Sequence, residues 1–540
     1  MTIAMEDHVQ DRDAAGRPVA TRPARQERSV LERTAVGLGW IVGWRMATRV
    51  LGLLSTLVLI RLLAPGDFGL VALASTFVIA VDTLSALGVE DSLVREPHPT
   101  PAMYDTAFTL NALRSGVTAV LLAAVALPVA AFFGEPRLAH VLWALAAGTV
   151  VVGAGSIGVV DFRRNMDFGK EFALQILPRV LSIVVTIGVA VIWHSYWALV
   201  AGILTGRTVR TVFSYRMHPW RPRLDLSAWR YLIGFSTWSW AISMAELVRD
   251  RMNAFVLGRT MDAAAVGIYS VGEEIASLPA TELVGPLCRS CFSGFAADRA
   301  AGHDVAETFL RPVALTALVT LPTGIGLSLV ADPLVRLAVG EAWAGAIPVI
   351  QVLGATGAFV VFGSVASTLL SAHAMLRRQF GVTLGCLLLR LALIVPLVNA
   401  YGVLGAALGV LAGTAAEHSL YVAAAFRGFG IPAGELVRRT WRSAAAAAAM
   451  AAVLAAAGLG WTVTPGGGAH LAQILASAVG LGAGTYGLAL LALWLLSGRP
   501  AGAEADLLAL VGRLARGILR RAFLPGFDRH GPARPAKELP

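Results

Sequence analysis

Apolar stretches long enough to cross a lipid bilayer follow one another from about residue 37 to about residue 496, separated only by short polar segments. Hydrophobic residues make up 56% of the chain and charged residues 14%, a balance that soluble domains do not show. Several apolar stretches also carry arginines and carboxylates near their middle, where burial of a charge is costly. The combination predicts an all-α, polytopic membrane protein with a polar internal path, which is typical of a transporter.

The placement of these stretches predicts a number of spans and an orientation. Windows of about 20 apolar residues predict about 14 transmembrane helices. They cover residues 37–63, 68–90, 106–133, 138–160, 173–193, 196–214, 231–257, 264–292, 309–330, 346–371, 379–398, 402–425, 443–461 and 471–496. The chain has a formal net charge of +10, and its arginines concentrate before the first span, in alternate loops and after the last span. Because positively charged loops stay in the cytoplasm, both termini are predicted to be cytoplasmic.

The positions of the basic residues also bear on partners. A protein that binds nucleic acid needs these residues on one face or stripe, whereas here they are spread over many short loops. Membrane topology therefore explains this positive charge better, and no nucleic acid is expected to bind.

A short motif occurs twice, with an offset of about 198 residues. Arg61 ends span one and is followed eight residues later by Gly69, while Arg259 ends span seven and is followed eight residues later by Gly267. Because an even number of spans separates the copies, the two halves share one orientation and are related by an axis along the membrane normal. The repeat therefore predicts two six-helix bundles plus two extra helices.

These features divide the chain into five segments. Residues 1–35 are predicted to form a disordered cytoplasmic tail, followed by an N-terminal bundle at 36–225 and a C-terminal bundle at 226–430. Two additional transmembrane helices occupy 431–498. Residues 499–540 form a cytoplasmic tail, in which 503–523 place leucines on one stripe and arginines mostly elsewhere, as in a basic amphipathic helix at a membrane surface.

Five segments carry a pattern longer than the repeat: residues 61–74, 162–168, 195–202, 221–224 and 256–270. In kind and order they resemble the Wzx-type lipopolysaccharide and exopolysaccharide flippases of the multidrug, oligosaccharidyl-lipid and polysaccharide exporter superfamily. The resemblance covers about residues 30–430 and implies two bundles around a central cavity, with the last two spans packed outside. It also implies an acidic residue near the end of span seven, where this chain has Asn253 with Asp250 nearby.

Charged residues inside the predicted spans are the candidate substrate contacts. Arg45 and Arg49 share one face of span one, at roughly 12 and 18 Å from its cytoplasmic end. An arginine facing lipid at that depth costs at least about 2.5–3.5 kcal/mol, so a water-filled cavity or an acidic partner is required. The full candidate set is Arg45, Arg49, Asp82, Arg114, Arg179, Glu246, Arg249, Asp250, Glu273 and Arg390. Ion pairs that only stabilise the fold are the alternative for each of them.

Arginine chemistry favours an anionic substrate, because planar guanidinium groups bind diphosphate oxygens better than an ammonium group does. With the resemblance, this predicts a flippase in the bacterial inner membrane that moves an undecaprenyl-diphosphate-linked oligosaccharide from the cytoplasmic to the periplasmic leaflet by alternating access. Arg45 and Arg49 are the predicted head-group contacts. The expected partners are the lipid-linked oligosaccharide, the bilayer and polysaccharide assembly proteins.

Two other functions stay open at this point. A cation-coupled drug or metabolite antiporter of the same superfamily would share the fold, but cationic drugs favour a cavity dominated by carboxylates over an arginine-rich one. A membrane enzyme such as a polysaccharide polymerase or ligase would need a large periplasmic loop, and the predicted spans leave none longer than about 15 residues.

No cofactor, metal site or catalytic residue is predicted. Cys288, Cys291 and Cys386 form neither a disulfide framework nor a paired metal-binding motif. The chain has no Gly-x4-Gly-Lys loop for a nucleotide, so transport is expected to draw on a substrate gradient, an ion gradient or the membrane potential.

Overall fold

A computed structural model describes residues 48–49, 51–52, 54–85, 89–96, 98–165, 167–232, 237–301, 305–461, 466–500 and 502–507. All regular secondary structure within these ranges is helical. The helices are α1 (residues 54–62), α2 (Pro65–Leu84), α3 (Val89–Arg95), α4 (Pro101–Phe133), α5 (Arg137–Gly153), α6 (Val160–Arg164), α7 (Phe168–Trp193), α8 (Trp197–Met217), α9 (Trp229–Leu232), α10 (Thr237–Thr260), α11 (Ala263–Ala276), α12 (Gly285–Ala301), α13 (Val305–Leu329), α14 (Ala331–Leu334), α15 (Ile347–Ala372), α16 (Leu376–Tyr401), α17 (Val403–Phe429), α18 (Ala433–Ala456) and α19 (Gly468–Leu496).

Prolines and glycines mark several helix ends. Pro65 and Pro101 occupy the first turn of α2 and α4, where a missing N–H leaves no hydrogen bond unmade. Gly134 and Gly430 follow the last residues of α4 and α17, both at a φ of 67°, a left-handed conformation that glycine adopts without strain. These residues mark where α2, α4 and α17 begin or end, and the interiors of these helices are mostly apolar.

Each of the predicted spans overlaps a helical segment of the structure. Among the residues that the structure describes, eight helices are long and apolar enough to cross a bilayer, or nine if one bent pair is counted as a single span. Helix α10 does not qualify although a span is predicted there, because Glu246, Arg249, Asp250 and Arg251 lower its apolar character. A multi-spanning helical protein is thus confirmed, whereas the number of about 14 crossings stays a prediction.

Two predicted spans are not straight helices. The helix over Arg137–Gly153 and the helical segment over Ile157–Arg164 meet at a bend of 68°. The span predicted at 264–292 consists of α11, a π-helical turn at Ala280–Val284 and then α12. Pro279 directly precedes this turn, and a proline interrupts the hydrogen bonds of a helix. The break places polar side chains of the turn at the boundary between the two halves.

The halves meet closely where α2 packs against α11. Gly69 and Gly267, the two glycines that the repeat aligns, face each other in this contact. A Cβ atom added to Gly69 would lie 1.6 Å from the carbonyl oxygen of Ala263, and one added to Gly267 would lie 1.9 Å from that of Pro65. Glycines permit such backbone contact between membrane helices. The reciprocal geometry supports the predicted two-fold repeat, although the full layout of the repeat stays a prediction.

The two arginines of the repeat also reach into the opposite half. Arg61 donates from Nε to the carbonyl oxygen of Ala338 at 3.2 Å and from its terminal nitrogen to the carbonyl oxygen of Leu337. The guanidinium group of Arg259 lies 5.0 Å from the centre of the Phe132 ring. These exchanged contacts close the molecule at one end, which is the periplasmic end in the predicted orientation.

At the other end, the start of the C-terminal tail docks on the bundle. Arg442 and Glu504, both buried, form an ion pair of 2.7 Å. Arg311 binds Asp506 through two hydrogen bonds of 3.0 Å each. The rest of the predicted amphipathic helix, like Arg45 and the N-terminal tail, lies outside the described residues.

Candidate substrate cavity and its charged residues

The C-terminal half contains a polar cavity of about 580 Å³. Its walls come from α10, α11, α15, α16 and α17, together with the π-helical turn and the start of α12. The charged residues among its lining are Glu246, Arg249, Asp250, Glu273, Arg390 and Glu417. The structure therefore brings together five of the ten residues predicted from the sequence.

Arg249 forms the centre of the ionic contacts in this cavity. Its Nε donates to a carboxylate oxygen of Asp250 at 3.0 Å, and its Nη1 donates to one of Glu417 at 2.9 Å. Glu246 lies one helical turn earlier on α10 and lines the same cavity. Glu417 was missed in the sequence analysis, although a carboxylate in the middle of predicted span twelve was a visible signal.

A hydrogen-bonded chain occupies the neighbouring wall. The side-chain amide of the buried Asn253 donates to the hydroxyl of Tyr269 at 2.7 Å, and this hydroxyl donates to a carboxylate oxygen of Glu273 at 3.3 Å. Asn253 thus has a structural partner at the position where the resemblance implies an acidic residue. Arg390 is 6% exposed, and its Nε has no hydrogen-bond partner within the described part of the chain.

The sign of the charge in this cavity differs from the arginine-rich cavity predicted. Four carboxylates and two guanidinium groups line it, so that the formal charge is negative when all of them are ionised. A buried excess of one sign is costly in a membrane unless a counter-ion, a proton or an opposite charge of the substrate compensates it. The C-terminal half is therefore suited to take up positive charge.

Arginines of the N-terminal half lie at the boundary with the C-terminal half. Arg49 forms an ion pair of 3.2 Å with Glu282 of the π-helical turn. The preceding residue, Thr281, lines the polar cavity, so this ion pair lies at the rim of the cavity. The sequence analysis did not identify Glu282 as a partner, because a single helix was predicted through the broken segment.

A smaller cavity of about 290 Å³ lies between the halves. Arg179 of α7 and Glu274 of α11 line it from opposite halves. The guanidinium group of Arg179 also approaches the first helix, since a Cβ atom added to Gly52 would lie 3.0 Å from its Nη2. Arg179 therefore lies beside the segment that carries Gly52 and shares a cavity with a carboxylate of the opposite half, while Arg49 is paired with one.

Asp82 and Arg114 have a different environment. They pair with each other at 3.7 Å inside the N-terminal half, and Arg114 also donates to the backbone carbonyl of Asp82 at 3.4 Å. Neither residue lines the two cavities described above. This geometry fits the alternative of an ion pair that stabilises the fold.

Comparison with known proteins relates this chain to a protein family. A family model described as "Polysaccharide biosynthesis protein" matches residues 58–348. The lipopolysaccharide biosynthesis protein WzxC of Escherichia coli (strain K12) is 24% identical over 71% of this chain and 78% of its own length. The succinoglycan biosynthesis transport protein ExoT of Rhizobium meliloti (strain 1021) is 24% identical over 58% of this chain and 64% of its own length. The teichuronic acid biosynthesis protein TuaB of Bacillus subtilis (strain 168) is 23% identical, over 50% and 57%.

Solved structures show the same fold. A lipid II flippase MurJ in an inward closed conformation superimposes with a TM-score of 0.67 at 12% identity, over 85% of this chain and 99% of that chain. An inward-facing multidrug resistance MATE family transporter superimposes with a TM-score of 0.54 at 14% identity, over 73% and 94%. At such identities the likeness concerns the fold alone.

Proposed function

We propose, from the premise that this chain belongs to the polysaccharide biosynthesis protein family and to its Wzx-type flippases, that it moves an undecaprenyl-diphosphate-linked oligosaccharide from the cytoplasmic to the periplasmic leaflet. The names of its relatives refer to lipopolysaccharide, succinoglycan and teichuronic acid, so the family is associated with chemically different glycans. In this proposal the group that such substrates share is a lipid diphosphate, and recognition of this group requires cationic donors. The observation that carries the proposal is the ion pair between Arg49 and Glu282, which joins the two halves at the rim of the cavity.

Substrate binding starts, in this proposal, with an exchange of partners. Arg49 is paired with Glu282, and Arg179 shares a cavity with Glu274. A diphosphate offers each guanidinium group two oxygens in the geometry that its fork of N–H donors matches. The head group therefore replaces the carboxylates as the partner of the arginines. Binding would then loosen the contact between the halves at the rim of the cavity.

The distribution of contacts supports loading from the cytoplasmic leaflet. The glycine contact between α2 and α11 and the exchanged arginines Arg61 and Arg259 hold the halves together at the predicted periplasmic end. At the rim, by contrast, the contact is a single ion pair whose side chains are 30% and 42% exposed, so that an incoming head group can reach it. A rocking motion that opens the tightly packed end would present the head group to the periplasm.

The negative cavity favours a second candidate, a cation-coupled drug or metabolite antiporter. Glu246, Asp250, Glu273 and Glu417 outnumber Arg249 and Arg390 among its lining. A carboxylate-rich cavity suits a cationic substrate, but it equally suits a flippase that takes up cations or protons while the glycan head binds at the rim. The two functions share the fold and differ in the compound that crosses the membrane.

The test is the leaflet distribution of lipid-linked oligosaccharide in a deletion strain, compared with its surface polysaccharide. We expect the full-length lipid-linked intermediate to accumulate on the cytoplasmic leaflet and the surface polymer to disappear. Expression of the intact chain from a plasmid should reverse both effects. An unchanged lipid pool and normal polymer, together with altered drug susceptibility, would favour the antiporter instead.

A further inference from the structure

A third cavity, of about 220 Å³, lies inside the N-terminal half. Helices α3 to α8 contribute to its walls, and one wall is the 68° bend between α5 and the segment that begins at Ile157. None of its lining residues lines the polar cavity of the C-terminal half or the cavity between the halves. It is therefore a separate site.

The cavity lies in the half of α8 nearer the predicted cytoplasmic surface. Helix α8 ends at Met217, on the side that the distribution of arginines assigns to the cytoplasm. Arg210 and Arg207 line the cavity roughly 10 and 15 Å before that end, at 1.5 Å per residue. Arg210 is exposed, so the cavity is reached from the surface on this side.

Arginines outnumber carboxylates in this lining. The charged residues are Arg163, Arg207, Arg210, Glu90 and Glu171, which give a formal charge of +1 when all are ionised. Both carboxylates contact the same arginine, because Arg163 lies 3.3 Å from Glu171 and 3.9 Å from Glu90. Arg207 and Arg210 form no ion pair within the described part of the chain. Two guanidinium groups are thus left without an anionic partner.

Arg207 is fixed in place through only one of its nitrogen atoms. Its Nη1 donates to the carbonyl oxygen of Leu145 at 3.0 Å and to the hydroxyl of Thr149 at 3.2 Å. Gly148 leaves space for this side chain, since a Cβ atom added there would lie 3.2 Å from Cδ of Arg207. The Nε and Nη2 atoms have no hydrogen-bond partner among the described residues. These two donors remain available to a ligand.

The bend after α5 adds a hydroxyl group. Ser156 lines the cavity and is 4% exposed, and its side-chain oxygen makes no hydrogen bond with any described residue. Its backbone N–H donates to the hydroxyl of Ser214 at 2.9 Å, which holds the bend against α8. A buried hydroxyl without a partner carries a desolvation penalty. A ligand that accepts its hydrogen bond would remove this penalty.

We propose that this cavity binds a phosphoryl group through the guanidinium groups of Arg207 and Arg210 and the hydroxyl of Ser156. A phosphoryl group offers several acceptor oxygens, and the fork of a guanidinium group matches a pair of them. The single excess positive charge of the lining complements the negative charge of such a group. Free phosphate of the cytoplasm and the head of an anionic phospholipid share this chemistry. The site does not depend on the proposed function.

Thermal unfolding of the full chain in detergent tests the site. Inorganic phosphate replaces chloride at constant ionic strength, and we expect a saturable rise in Tm, because a ligand of the folded state stabilises it. Arg210→Gln should raise the phosphate concentration of half-maximal effect about tenfold and leave the Tm in chloride unchanged, since this arginine has no partner to lose. The matched control Arg216→Gln removes the same charge from an exposed position of α8 outside the cavity and should respond like the parent.

Ser156→Ala separates ligand binding from a structural role. Loss of a buried hydroxyl that has no partner should leave the Tm in chloride unchanged or slightly higher. The phosphate concentration of half-maximal effect should nevertheless rise about tenfold, because a hydrogen bond to a charged ligand is lost. A lower Tm in chloride with unchanged phosphate binding would assign Ser156 to the fold and contradict its role in the site.

Water-soluble dioctanoyl phosphatidylglycerol distinguishes the two sources of the phosphoryl group. Stabilisation by this lipid below the concentration at which phosphate acts, reduced in Arg210→Gln, would support a phospholipid head as the ligand. Stabilisation by phosphate alone would support free phosphate.

Two outcomes would overturn the site itself. One is a rise in Tm that does not saturate and is equal in all variants, as a general effect of an excluded salt on the protein surface would be; the cavity would then hold water only. The other is saturable stabilisation that is identical in Arg210→Gln, Ser156→Ala and Arg216→Gln, because the anion would then bind elsewhere.

Discussion

At the scale of single residues, Arg49 and Arg249 illustrate two different uses of an arginine inside a predicted span. The partner of Arg49 belongs to the opposite half, and both side chains are partly exposed. Arg249 is held by Asp250 and the buried Glu417 within one half. The partly exposed pair of Arg49 is open to exchange with another anion, whereas a buried pair is costly to break on one side. Arg49 therefore fits substrate binding and Arg249 fits organisation of the cavity.

Replacement of Arg49 should stop transport and leave the fold intact. We expect Arg49→Ala, alone or with Arg45→Ala, to abolish surface polysaccharide while the amount of protein in the membrane stays unchanged. Arg49→Lys should restore only part of the activity, because an ammonium group lacks the fork geometry. Surface polymer and membrane protein are measured together, with Arg137→Ala at an exposed ion pair as control. Normal polymer in the double variant would contradict the assignment of this site.

Replacement of Arg249 or Glu417 should affect stability first. Removing one partner of a fully buried pair costs about 3–5 kcal/mol, and less here because the side chain of Arg249 is 24% exposed. We therefore expect Arg249→Met and Glu417→Leu each to lower the Tm of the detergent-purified protein. The double variant should lose less than the sum of the single variants, since neither charge is left without its partner. Strictly additive losses would show that the two residues act independently.

At the scale of helices, the contact between α2 and α11 depends on the absence of side chains. Gly69 and Gly267 bring the two backbones together. Outside this helix pair, the indole nitrogen of Trp343 donates a hydrogen bond of 3.1 Å to the carbonyl oxygen of Ile60 in α1. A larger residue at either glycine forces the helices apart. The closed end of the molecule is thus specified by the shape of two helices.

Gly69→Ala should open the predicted periplasmic end. The new Cβ atom would overlap the carbonyl oxygen of Ala263, whereas Gly66→Ala on the same helix meets nothing within 4 Å and serves as control. The reporter is a cysteine at Leu70, a fully buried position, in a chain whose native cysteines are replaced. We expect a membrane-impermeant maleimide to label it from the periplasm in Gly69→Ala only. Labelling of the Gly66→Ala control to the same extent would refute this role of the glycine.

At the scale of the whole molecule, the orientation determines which leaflet the cavity serves. The predicted topology places the connection between α16 and α17 in the periplasm and the segment after α19 in the cytoplasm. This assignment decides which leaflet the closed end of the molecule faces. A reversed chain would load from the opposite leaflet.

Reporter fusions test the topology directly. We expect green fluorescent protein fused after residue 500 to fluoresce, because it folds in the cytoplasm. Alkaline phosphatase should be active when fused at Gly402, which follows α16, and inactive when fused after residue 500. Phosphatase activity at the C-terminal position would reverse the orientation and, with it, the proposed direction of transport.

The candidate site was predictable only in part, and the residues show why. Glu246, Arg249, Asp250, Glu273 and Arg390 were identified as charges inside apolar spans, and the structure places them around one cavity. Their partners were harder to find, because Glu417 lies 168 residues from Arg249 and pairs with it only through packing of α10, α16 and α17. Glu282 was not identified as the partner of Arg49 for another reason: the sequence predicted one continuous helix there, whereas the helix is broken after Pro279.

The sequence by itself determined the class of the protein, the approximate location of its helices and the repeated motif in which Gly69 and Gly267 are equivalent. These are local properties, because the length of an apolar stretch and the spacing of a motif need no knowledge of distant residues. Only the tertiary structure decided which charges face each other, the negative sign of the polar cavity and the existence of a separate, positively charged cavity in the N-terminal half. Such features depend on contacts between helices far apart in the chain, where the packing of backbones selects one partner among many.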